Sequence, residues 1–113
     1  MNRAARAYGA SRQGGSTRHL EADVFRRVNG ALRAAGDAVA LSRALADNNR
    51  LWLAVEGAVR DPTNALPVPL RAGLVSLGRA VLRENALPSP DVGFLLDVNE
   101  SIAAGLTGEQ IAA

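Results

Sequence analysis

The chain has 113 residues and a mass of 11.8 kDa, with no Cys, one His and a net charge of +2. That is one domain's worth of chain; the missing Cys excludes a disulfide scaffold and thiol chemistry, and a single His leaves no ligand set for structural zinc. All 13 basic residues are Arg, which does not deprotonate near neutrality, so a pI of about 10.4 is weak evidence for nucleic-acid binding.

Charge is unevenly spread. Residues 1–20 carry Arg3, Arg6, Arg12 and Arg18 and no acid, whereas residues 21–113 carry nine Arg and eleven acids, or −2. A basic tail therefore precedes a mildly acidic body, read either as a solvated terminus or as a contact for an anionic partner such as RNA. Arg3 and Arg6 have no apolar stretch behind them, so no secretory signal is expected. No window approaches ~20 apolar residues, so no membrane-spanning helix is expected.

Residues 1–15 read as a separate basic segment: a short helix rich in Ala and Arg from Arg3 to Tyr8, then the breaker cluster Ser11 to Ser16. Residues 16–113 read as one helical domain. The first main helix is predicted over 17–35, capped by Ser16 or Thr17, with Glu21 and Asp23 at its positive end. Leu20, Val24, Val28, Ala31, Leu32 and Ala35 form its apolar stripe, widened by Phe25, and Gly36 stops it.

The second helix is predicted over 38–60 with Asp37 as cap. Leu41, Leu45, Trp52, Val55 and Val59 share a face, interrupted by Asn48 and Asn49. Leu51 and Leu53 lie off that face, so the second half is apolar around much of its girth. Such a helix is either central in a bundle or exposes a binding face. Trp52 is correspondingly a core anchor or a partner hot spot. The two Asn either bond to backbone freed by prolines in the next connector or meet a ligand.

Pro62, Pro67 and Pro69 make 61–69 a connector, with a proline in the first turn of the third helix. That helix is predicted over 69–85 on the stripe Leu70, Leu74, Leu77, Val81 and Leu82, broadened by Val75. Gly73 and Gly78 weaken it by about 1 kcal/mol each, which close approach of a neighbouring helix would offset. Ser89-Pro90-Asp91 starts a fourth helix, predicted over 90–104 with Ser89 as cap and Gly105 as stop. Val92, Leu95, Leu96, Ile102 and Leu106 share its face with Asn99. Thr107 to Gln110 has capping-box spacing for a last turn. No segment alternates with period two. The class is all-α: a small antiparallel bundle of four main helices plus the short basic N-terminal helix.

Catalytic signals are thin. His19 sits at a helix entry, the carboxylate pairs Glu21/Asp23 and Asp97/Glu100 read as solvated, and Gly14-Gly15 lacks the Lys of a phosphate loop. Arg26-Arg27 is a lone basic doublet. No enzymatic activity, cofactor or metal is expected.

Four blocks do carry a resemblance. They are His19-Leu20-Glu21-Ala22-Asp23-Val24-Phe25 with Val28; Asn49-Arg50-Leu51-Trp52; Asn64-Ala65-Leu66-Pro67 with Leu70-Arg71-Ala72 and Val75-Ser76-Leu77; and Leu96-Asp97-Val98-Asn99 with Ile102 and Gly105-Leu106. Together with Tyr8 after Ala7, their order and spacing over about residues 4–106 resemble the flagellar biosynthesis regulator FlaF family. The resemblance implies a cytoplasmic, non-enzymatic protein of flagellated alphaproteobacteria that binds flagellin, promotes its synthesis and secretion, and opposes the repressor FlbT. Under that reading the wide faces of helices two and three are the candidate surface: Asn49, Arg50, Leu51, Trp52, Leu53, Leu66, Pro67, Arg71, Leu74 and Val75. Direct action on flagellin mRNA through the basic N-terminus is the alternative. The sequence sets no oligomeric state.

Overall fold

Four helices make up most of the computed structural model, which describes residues 20–107: α1 Ala22–Ala34, α2 Ala38–Arg60, α3 Val68–Asn85 and α4 Val92–Thr107. No strand occurs among the described residues. The expected N-terminal helix and the 108–110 part of the capping box lie outside them.

The cap residues explain where the helices begin. Asp37 Oδ1 accepts from Ala40 N at 2.8 Å, so α2 starts where the sequence places it. Pro67 caps α3, and Pro69 stands in its first turn, where a missing N–H costs nothing. Two helices depart from expectation. Leu20 and Glu21 stand outside α1, Glu21 being extended (φ −92°, ψ 134°); the predicted start at 17 lies outside the described residues. In α4 the cap is Asp91 rather than Ser89. Its Oδ1 accepts from Phe94 N at 3.0 Å, and its negative charge faces the positive helix end. Gly105 does not stop α4, which continues to Thr107, where Oγ1 donates to Ala104 O.

Side-chain contacts set the topology. Arg26 pairs with Glu100 while Asn29 reaches Leu96 O, so α1 and α4 run antiparallel. Asn48 meets Asn85 and Trp52 lies over Gly78, so α2 and α3 do too. Phe25 stacks edge-on against Trp52 at 6.0 Å and 79°, holding α1 to α2. The helix neighbours are thus α4–α1–α2–α3, and α3 and α4 meet only sparsely.

The core is Phe25, Leu32, Ala44, Leu51, Trp52, Val55, Val59, Leu74, Val81, Leu95 and Ala103. A polar network crosses it. Asn99 Nδ2 donates to Asn29 Oδ1 at 3.0 Å and to Asn48 Oδ1 at 2.8 Å, and its Oδ1 accepts from Trp52 Nε1 at 2.8 Å. Asn48 Nδ2 donates to Asn85 Oδ1, Asn85 Nδ2 to Leu45 O, and Asn29 Nδ2 to Leu96 O. Each helix contributes one Asn, and every amide nitrogen of the four has an acceptor, as burial requires. The expected bond from Asn48 to the 61–69 connector is therefore corrected. Asn64 does that work: its Nδ2 donates to Ala58 O and its Oδ1 accepts from Leu66 N, both at 2.9 Å.

The two α3 glycines separate. A Cβ on Gly78 would stand 3.4 Å from the Trp52 ring, so this glycine admits the indole and nothing larger than a methyl. Gly73 is exposed with open space around it. Gly73→Ala should stabilise the domain by about 0.5–1 kcal/mol through helix propensity, read as a higher midpoint in urea at unchanged slope.

Candidate partner-binding surface

The ten residues singled out in the sequence divide by burial. Leu51, Trp52 and Leu74 are inside; Trp52 is 0% exposed. Trp52 is thus a core anchor in this fold, and a surface hot-spot reading would need the bundle to open. Its ring is enclosed by Phe25 and Gly78, and its N–H is spent on Asn99.

The remaining seven reach the surface. Arg50, Leu53 and Pro67 are exposed, and Asn49, Leu66, Arg71 and Val75 are half-buried. At 100° per residue, Asn49, Leu53, Glu56 and Arg60 share one flank of α2. Arg71, Val75 and Leu82 share one flank of α3. The register set by Asn48–Asn85 and Trp52–Gly78 runs these flanks along the same seam. Leu66 is held at the end of that seam by the Asn64 turn. Arg50 points elsewhere, pairing with Asp47 one turn back.

The seam is apolar with charged borders. Leu53 is 49% exposed and Val68, at the α3 entry, 65%. Arg60 is paired with Glu56 at 3.2 Å. Arg71 differs: its Nε is buried and has no hydrogen-bond partner, alone in this among the described buried side-chain polar atoms. An unsatisfied buried donor costs about 1–3 kcal/mol, and because Nε itself has no exposed surface, an acceptor reaches it only if the half-buried side chain shifts.

No three His, Asp or Glu side chains among the described residues gather to hold a metal, and none of their helices is long and apolar enough to cross a membrane. The sequence profile of the flagellar protein FlaF matches residues 4–106.

The chain belongs to the FlaF family. The match spans all four helices and reaches back into the basic N-terminal segment. FlaF membership ties the chain to flagellar function. No curated protein and no solved structure matches it.

Sequence reasoning overlooked two parts of this FlaF domain. Asn29 was not singled out, although it stands four residues after Phe25 and three before Leu32, at core spacing. Asn48 stands four residues from both Ala44 and Trp52, and Asn99 four from both Leu95 and Ala103, again at core spacing. A polar residue in phase with a buried stripe is the signal that marks such a network. The unpartnered Arg71 Nε has no sequence signal, because it depends on what packs around the side chain.

Proposed function

We propose that this FlaF-family chain is a cytoplasmic, non-enzymatic adaptor that binds flagellin, promotes its synthesis and secretion, and opposes the repressor FlbT. The observation that carries this reading is the family match over residues 4–106. Flagellin's terminal helices are amphipathic and must not assemble before export. A surface seam between two helices accepts such a helix through apolar anchors at i, i+3, i+4 and i+7. Leu53, Val68 and Val75 supply the apolar floor, and Arg71 would meet a carboxylate on the incoming helix.

The test is calorimetry with monomeric flagellin, using flagellin lacking its terminal helices as control. Micromolar or tighter binding is expected to the intact subunit only. Leu53→Asp should weaken it by at least about tenfold, the effect of losing about 1.4 kcal/mol, with the circular dichroism spectrum unchanged. The net +4 of residues 1–20 supports the second reading, direct action on flagellin mRNA. No binding to flagellin, together with transcript-leader binding that falls steeply with salt, would put that reading first.

A further inference from the structure

The two seams beside α3 carry opposite charge. On the α2–α3 side, Arg79 is exposed one turn past Val75, along the flank that begins with Arg71. Arg60, Arg71 and Arg79 thus face one acid, Glu56; three cations against one anion leave +2. Glu56 is held by Arg60 at 3.2 Å, so the surplus lies at Arg71 and Arg79. Asp61, past the end of α2, turns its Oδ1 to Thr63 N and Oγ1. On the α3–α4 side the balance is reversed. Glu84 and Asp91 outnumber Arg83 around a cleft of about 450 Å³ that Leu87 and Phe94 also line. Both seams show exposed apolar side chains, Leu53 and Val68 on one and Leu70 and Leu87 on the other, so hydrophobicity does not choose between them.

We propose that the α2–α3 seam selects an acidic amphipathic helix, one with two carboxylates about two turns apart beside its apolar stripe. This rests on the reading of that seam as the partner-binding surface. The spacing follows from the α3 backbone. Arg71 and Arg79 are eight residues apart, or about 12 Å along the helix. Carboxylates at i and i+7 of a helix lying along the seam are about 10.5 Å apart, within reach of two long, flexible Arg stems. Val75 stands midway between the two Arg, so an apolar anchor meets it between the two ion pairs. Trp52 lies over Gly78, and Leu53 and Arg79 follow these two in sequence, so the exposed Leu53 stands across the seam from Arg79. In the α3–α4 seam the same helix would meet Glu84 and Asp91, and like charge repels it. Exposed ion pairs add little affinity each; their effect here is to direct the helix to one side of α3.

The probes are three helical peptides of about 20 residues, with Leu at i, i+3, i+4 and i+7 and with Glu, Gln or Lys at two bordering positions two turns apart. The full-length protein should bind the Glu peptide at least about fivefold tighter than the Gln peptide, and the Lys peptide more weakly than either. Salt at about 1 M should close these gaps. Amide shifts should fall at Leu53, Val75 and Arg79 rather than at Leu87 and Phe94. Arg71→Gln together with Arg79→Gln should abolish the preference for Glu over Gln. Arg79→Gln alone, at an exposed position, should reduce it with the circular dichroism spectrum unchanged. Equal binding of the three peptides, shifts at the α3–α4 cleft, a preference that survives in the double variant, or no binding of any peptide would each overturn the proposal. Flagellin tests its own reading separately. Flagellin that binds the double variant as tightly as the native chain overturns the charge assignment alone. Glu-peptide binding without flagellin binding retains the charge assignment and removes flagellin as the occupant.

Discussion

Trp52→Ala should lower the stability of the domain by about 3–5 kcal/mol, the usual cost of truncating a buried indole. The ring is wholly buried, stacks on Phe25 and fills the space that Gly78 leaves open, so its removal empties the junction of α1, α2 and α3. It also strips Asn99 Oδ1 of its donor. For a domain of this size each kcal/mol moves Tm by about 4–8 °C, so thermal melts should drop by at least about 12 °C. Domains of this kind hold only about 5–15 kcal/mol in total, so the variant can be partly unfolded at working temperature. An unchanged Tm would show that the indole is not where the core needs it. Loss of flagellin binding by this variant alone therefore says little about the surface, which is why Leu53→Asp is the informative change.

The second large effect is expected at Asn99. Asn99→Ala removes three hydrogen bonds at once and orphans Trp52 Nε1, Asn29 Oδ1 and Asn48 Oδ1 inside the bundle. At about 1–3 kcal/mol per orphaned group, with water entering the small void to relieve some of it, the net loss should be about 3–5 kcal/mol. Asn48→Ala removes one of the same bonds, so the two changes should couple. A double-mutant cycle by urea unfolding should show the pair costing less than the sum, by about 0.5–3 kcal/mol. Additivity would mean that the amides do not act as one network. The converse substitution sharpens the point. Replacing Asn29, Asn48 and Asn99 together by Leu leaves no orphan among those three, but it still strips Trp52 Nε1 of its acceptor and Asn85 Oδ1 of its donor, so about 1–3 kcal/mol per remaining orphan is expected to persist. It would also lose register. Apolar stripes can slide by a turn against one another, whereas four amides with directional bonds meet in one alignment.

Much of the fold was legible before the structure. The period of the apolar residues and the breakers at 36–37, 61–69 and 86–91 placed all four helices, and Asp37 announced its cap. The family was legible in the order of its blocks. The candidate surface was legible only in part. Leu51, Trp52 and Leu53 are three adjacent apolar residues, and adjacent residues on a helix point about 100° apart. Helical phase cannot say how many sides a helix buries. Two neighbours, α1 and α3, enclose Leu51 and Trp52, and none covers Leu53.

The Asn residues teach the same lesson for polar groups. Asn49 and Asn48 are identical in chemistry and adjacent in sequence, yet Asn48 lies in the core network and Asn49 on the seam. The sequence alone determined the helical elements, the family and the surplus of apolar surface, because those follow from local periodicity, breaker residues and composition. The tertiary structure decided which apolar side became core, which amides became the polar centre and which buried guanidinium nitrogen was left without a hydrogen-bond partner. Those outcomes depend on what another helix places across the interface, at distances of about 3 Å where a hydrogen bond is made or missed.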